Sequence, residues 1–363
     1  MIRVFISITL CLMFFQSFSQ SGRDSLKQLL LTASDTQKVY LMGDISFGYR
    51  FENTDSAMHY AKQARSIAQR LGDPAAVAQS LNDHGIILGV LNQYDEALSN
   101  YNRALVIRKN RNDSVRMGAL HSKIGVIHQK QGSYDKAIEH QLDALRLFQS
   151  LGIENYVAIC QNNVAILHLN MGDLERSLEM HQQALETRIK IGDRYGEASS
   201  YANIGNVYFG LTDTIKAGEN YQSAIAIFEE LEDPEGLSTN LHNWATCFQQ
   251  TAPNKALDLL ERALFIRREM GDEKMIASTH SSMGATLLSM NRPVEALPHF
   301  RKSLKLAKDA DVLVEQLNSL ENLARLYRDL DNADSTYFFY AQYQMLKDSA
   351  FNEDLRGDFA ELQ

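Results

Sequence analysis

Small side chains recur along this chain at a fixed interval. Gly85, Gly125, Ala165, Gly205, Ala245, Gly284 and Ala324 follow one another in steps of 40 residues, with one step of 39. A second set lies twelve positions later, at Ala97, Ala137, Ser177, Ala217, Ala256 (one short), Ala296 and Thr336. A third set, seven further on, comprises Ala104, Ala144, Ala184, Ala224, Ala263 and Ser303; an earlier copy fits as Ile45, Ala57 and Ala64. Between them the apolar spacing is helical. Leu98, Tyr101, Leu105 and Arg108 step around one face, as do Leu178, His181, Leu185 and Arg188. A period of this length marks a solenoid of stacked units. Small residues on facing ridges let helix axes approach to the lower end of about 8–10 Å.

Turn signals fall where two helices per unit need them. Asn92, Gly132, Gly172 and Asn291 share one repeat position, where a left-handed helix end favours Gly or Asn. Gly72-Asp73, Gly192-Asp193 and Gly271-Asp272 close units, with Gly ending one helix and Asp capping the next. Asp73-Pro74 and Asp233-Pro234 add proline at the first helical position, where no donor is lost. Pro298 falls inside a helix of this scheme and predicts a local bend. The pattern therefore predicts about eight helix-turn-helix units over residues 38–350. Residues 20–37 supply a capping helix, and 351–363 begin a further helix on the stripe Phe351, Leu355, Phe359 and Leu362.

The stretches Asn203-Ile204-Gly205-Asn206-Val207-Tyr208 and Asp95 through Leu105 (DEALSNYNRAL) carry a family resemblance. The chain resembles tetratricopeptide-repeat (TPR) proteins of a long-helix, roughly 40-residue kind. That resemblance implies an all-α, right-handed superhelix whose concave wall is formed by the first helix of each unit. A narrower resemblance rests on Asn53 through Ala64 (NTDSAMHYAKQA) and on Leu346-Lys347-Asp348-Ser349. These look like the exported TPR regions of Bacteroidetes-type sensors, which implies an extracytoplasmic sensing role ahead of a membrane span and an output domain.

The N-terminus agrees with export. Met1-Ile2-Arg3 is a short basic start, Val4 to Phe15 is apolar, and Ser17 and Ser19 stand at −3 and −1 of a cut before Gln20. A membrane anchor would need about 20 apolar residues. Residues 1–19 are thus expected to be a signal peptide, and the mature protein periplasmic, secreted or tethered. Net charge is −9, from 36 Lys and Arg against 45 Asp and Glu, which disfavours a nucleic-acid partner. After cleavage only Cys160 and Cys247 remain, two units apart in the repeat register, and two buried thiols are expected rather than a disulfide.

Candidate chemistry is sparse. The chain has no phosphate-binding loop of the Gly-x4-Gly-Lys form, no His-Glu-x-x-His and no Gly-x-Ser-x-Gly. Neither catalytic residues, cofactor nor metal is expected. His128, His168, His140 and His181 read as packing residues, since zinc wants three or four ligands at suitable spacing. Tyr337, Phe338, Phe339, Tyr340 and Tyr343 read as core of the last unit.

What remains is the groove that the resemblance implies. Two positions before the small residue of each first helix, the inward-facing site in TPR proteins, stand Asp83, Lys123, Asn163, Asn203, Asn243, Ser282 and Asn322. Asn82, Asn162 and His242 precede three of them, and Asn206 lies one past the small residue. An asparagine amide offers one acceptor and two donors, matching a peptide group. These residues suit a ladder gripping an extended peptide or protein segment; they suit equally a solvated face or bonds to neighbouring helices. Lys123 stands almost alone as a cation, so the carboxylate-clamp mode of chaperone-tail receptors is not expected. The function expected is a non-enzymatic exported interaction module. The alternative is the sensing region of a transmembrane histidine kinase or transcriptional regulator, with a membrane involved only if the chain continues beyond Gln363.

Overall fold

The computed structural model describes residues 20–361, with side chains described over 22–349. The expected signal peptide, residues 1–19, lies outside the described residues. Among the described residues there are seventeen helices and no strand. Helix α1 (Gln20–Thr32) stands ahead of eight pairs. The first four are α2 (Asp35–Tyr49) with α3 (Thr54–Leu71), α4 (Pro74–Val90) with α5 (Tyr94–Asn110), α6 (Ser114–Lys130) with α7 (Tyr134–Ser150), and α8 (Glu154–Asn170) with α9 (Leu174–Ile191). The other four are α10 (Arg194–Gly210) with α11 (Thr214–Glu230), α12 (Pro234–Thr246) with α13 (Pro253–Met270), α14 (Glu273–Ser289) with α15 (Pro293–Asp309), and α16 (Leu313–Asp329) with α17 (Ala333–Glu361). The chain forms two compact units that divide between Thr187 and Arg188, within α9.

One device ends nearly every helix. A residue with positive φ comes first, and the amide of the next residue reaches back five positions. Gln93 N donates to Leu88 O at 2.9 Å, Asp113 N to Arg108 O at 3.0 Å, and Asp213 N to Tyr208 O at 2.9 Å. The same aspartates then cap the following helix: Asp113 Oδ1 accepts from Arg116 N at 3.3 Å and Asp213 Oδ1 from Lys216 N at 3.1 Å. Such caps are worth about 1 kcal/mol each. The left-handed residue is Asn92, Gly132, Gly172 or Asn291, as the sequence predicts, but also Thr212, Glu232, Asp311 and Asp331. The link after α12 departs from the scheme. That helix has 13 residues where most of its counterparts have 17, and no positive φ occurs at this link among the described residues. The 39-residue step of the sequence is absorbed here.

Packing within pairs pits ring against glycine. A Cβ on Gly85 would stand 2.6 Å from the Tyr101 ring, one on Gly205 2.8 Å from Tyr221, and one on Gly284 2.7 Å from Phe300. At the ends of second helices, Phe148 and Phe228 share a repeat position with Arg108, Arg188 and Arg267. All five are buried. The arginine Nη atoms find partners on neighbouring helices, as where Arg188 donates to Gly196 O at 2.9 Å and Ser200 Oγ at 2.7 Å, whereas the Nε atoms of Arg188 and Arg267 have no partner among the described residues.

Helix α15 runs through Pro298 without a break, because the proline lies close to its N-terminus and removes only the bond to the Val294 carbonyl. Cys160 and Cys247 are both free and buried; burial pushes their thiols up to about 12 and about 11. The aromatic cluster of α17 is only partly core. Phe339, Tyr343 and Leu346 pack on α15 and α16, whereas Tyr337, Phe338 and Tyr340 are 75%, 58% and 53% exposed. Helical spacing puts the first three on one face, and the others turn away from it.

Candidate functional site

The predicted gripping residues fall three in the first unit and five in the second, and each is half-buried. In the first unit, Asn82 Nδ2 donates to Asp83 Oδ1 at 2.9 Å, as does Gln79 Nε2. Burial raises the Asp83 carboxyl to about 6; these two bonds oppose the rise, Asp44 adds to it and Lys123 reduces it. Burial likewise lowers the Lys123 ammonium, with Asp83 opposing. The one cation at this repeat position, Lys123, is thus coupled to the carboxylate of the preceding unit, Asp83. Beside them lies a cavity of about 270 Å³, walled by Phe47, Ile86, Val90, Tyr101 and Val126 and reached by Ser122 and Lys123. Asn163 Nδ2 meets Gln141 Oε1 at 3.5 Å, and Asn162 is partnered.

In the second unit the candidates separate. Asn206 Oδ1 accepts from the Tyr221 hydroxyl at 2.8 Å. His242 is enclosed: Arg267 Nη1 donates to its Nδ1 at 3.0 Å, and Nε2 lies 3.1 Å from Ser282 Oγ. Burial, then the Arg267 charge, holds the His242 imidazole down at about 4, so it is neutral at pH 7. Both residues serve the fold. Asn203 is partnered. For Asn243 and Asn322 no side-chain hydrogen bond occurs among the described residues, so their amides keep their full bonding capacity.

The remaining histidines are also placed. His128 stacks on His140 at 5.6 Å between centroids, and His168 Nδ1 lies 3.8 Å from Asp173 Oδ2. His181 is fully buried at the position that Tyr101 and Tyr221 occupy in other units. Sequence reasoning passed over His121, which the fold brings against His140. The signal available was a 19-residue spacing that recurs at His280 and His299.

Known proteins place this architecture. A profile described as "Tetratricopeptide repeat" matches residues 116–190 and 196–269, and one described as "SusR N-terminal TPR domain" matches residues 23–104. No curated protein sequence matches the chain. The apo form of the quorum sensor NprR from B. thuringiensis is similar in structure, with a TM-score of 0.66 and 13% identity over 95% of this chain and 98% of that one. A Rap protein complexed with Competence and Sporulation Factor matches with a TM-score of 0.60 and 15% identity, covering 94% of this chain and 95% of that one. BtubC from P. vanneervenii matches at 0.56 and 24% identity, over 61% of this chain and 93% of its own. At these identities the solved structures speak for the fold. No helix among the described residues is long and apolar enough to cross a membrane. The chain is a tetratricopeptide-repeat protein, an all-α solenoid of about eight helix pairs and of the interaction-scaffold type, whose N-terminal part resembles that of SusR-type sensors.

Proposed function

We propose that the chain is an exported, non-enzymatic module that holds a protein or extended peptide segment along the faces of its first helices. The observation that carries this reading is the recurrence of half-buried asparagine amides at one repeat site, Asn163, Asn203, Asn243 and Asn322, with Asn82 and Asn162 one position earlier. Asn243 and Asn322 have bonding capacity unspent, and a peptide group would use both the carbonyl and the NH₂. Asn206 and His242 are left out of the gripping set, because Tyr221, Arg267 and Ser282 already hold them. The apolar cavity beside Lys123 gives room for one apolar side chain of the segment. The Rap protein was solved with Competence and Sporulation Factor, and the reading extends such use of the fold to this chain.

The test is binding of labelled, unstructured peptides of varied sequence by fluorescence anisotropy. A grip on the backbone tolerates many sequences. Each amide bond contributes about 0.5–1.5 kcal/mol net, so Asn243→Ala with Asn322→Ala, the two amides without a side-chain bond among the described residues, should weaken binding by about 1–3 kcal/mol with helicity and melting unchanged. An unaltered dissociation constant would remove the ladder.

The match of residues 23–104 to the SusR N-terminal TPR domain favours a second reading, a sensing region ahead of an output domain. Sequencing the gene past the codon for Gln363 decides between the two. An open frame running into about 20 apolar residues and an output domain supports the sensor, and a stop codon supports a free module.

A further inference from the structure

Two histidine pairs occupy the same places four repeats apart. His121 on α6 meets His140 on α7 with Nδ1 atoms 3.0 Å apart, and His280 on α14 meets His299 on α15 at the same separation. The environments differ three residues after the second histidine, where Asp143 stands in one pair and Lys302 in the other. In the first pair, Asp143 Oδ2 lies 3.6 Å from His121 Nδ1. Ligand atoms of His121, His140 and Asp143 all fall within 4.8 Å of one another. Arg146 donates to Asp143 Oδ1 at 3.1 Å, which orients the carboxylate and leaves Oδ2 toward the imidazoles.

The geometry fits a small ion. Zinc bonds to imidazole nitrogen and carboxylate oxygen are about 2.0–2.2 Å, and tetrahedral placement then sets donors roughly 3.4 Å apart. The observed 3.0 and 3.6 Å lie within a few tenths of an ångström of that value, and the third separation, between His140 and Asp143, is within 4.8 Å. Protonation also favours it. Burial holds both imidazoles below their ordinary value; His121 lowers His140 further, while Asp143 opposes both shifts and Glu139 that of His140. Neutral imidazole is the form that ligates. Of the neighbouring charges, Arg146 is spent on the far carboxylate oxygen, Glu139 acts on His140, and Lys136 acts on His128, which stacks on His140.

We propose that His121, His140 and Asp143 bind one divalent first-row transition ion, zinc by donor set, and so tie α6 to α7. Three protein donors leave a fourth position for water or a ligand atom. The His280–His299 pair, with Lys302 where the carboxylate would stand, is a plain imidazole–imidazole hydrogen bond. Burial, then His299, Arg268 and Lys302, hold His280 at about 4.

The experiment strips the purified protein with a chelator, then titrates it with Zn²⁺ by calorimetry and with Co²⁺ by visible absorption. The expected result is one ion per chain, with cobalt bands typical of mixed imidazole and carboxylate ligation. Asp143→Asn and His140→Gln should each weaken binding at least tenfold with the helical circular dichroism intact, and His299→Gln should leave it unchanged. The Asp143 side chain is 38% exposed, so its variant tests the site even if His140→Gln fails to fold. No saturable binding at micromolar metal, or binding undiminished by Asp143→Asn, would overturn the proposal.

Discussion

Thr212 holds φ at 63°, in the left-handed region where a β-branched side chain crowds its own backbone. The same turn elsewhere uses Gly132 and Gly172. Thr212→Gly should therefore stabilise the protein by about 1 kcal/mol, the strain relieved exceeding the extra chain entropy of glycine. Thermal melting checks it, and a lower midpoint would contradict the strain. Residues of this kind mark the limit of what the sequence discloses. Asn92, Gly132, Gly172 and Asn291 announce their conformation because their side chains favour it. Thr212 and Glu232 do not, since the repeat imposes the conformation on them against their preference; Asp311 and Asp331 tolerate it but signal it less than Gly or Asn. The site shows a similar limit. Asparagine recurrence is visible in the sequence, whereas the hydroxyl of Tyr221 on Asn206 and the enclosure of His242 depend on contacts between helices.

Between elements, the contact that fixes each pair is often a ring laid over a glycine. Gly205→Ala would place a methyl 2.8 Å from the Tyr221 ring, with both helices anchored at their ends. The expected cost is about 1–3 kcal/mol, read from urea unfolding, and Tyr221→Leu in the same background should recover part of it. Helix pairs and their register were legible because small residues at a 40-residue period have one packing explanation. The α17 aromatics were less so. Composition suggests core for all five, but the 3.6-residue turn sends Tyr337, Phe338 and Tyr340 away from the α15 and α16 contact that Phe339 and Tyr343 make. The pairing of His121 with His140 went unread because it joins two helices of different phase.

Across the molecule, neutral buried histidines make stability depend on acidity. His84 in the first unit, and His242 and His280 in the second, are each held at about 4 by burial. Their unfolded value is near 6.5, so between these limits the unfolded chain binds more protons and stability rises with pH. The contribution is complete above about pH 6.5 and drains away as pH falls toward 4, by on the order of 1–3 kcal/mol per histidine. Melting should thus drop steeply between pH 7 and 4, and His84→Gln should flatten the slope. The repeat count was legible at this scale, but the division between Thr187 and Arg188 was not, because it cuts a helix that reads as continuous. The left-handed turn that ends the helices governs how such a chain can change length. It is alike within pairs and between them, so the backbone repeats every twenty residues or so while the side-chain register repeats every forty. A coding insertion of one helix would leave every turn intact, yet each helix after it would take its neighbour's role and bury charges meant for water. Duplication or loss that keeps the core should therefore come in whole pairs, and the shortened α12 shows that a slip of a single residue is absorbed locally.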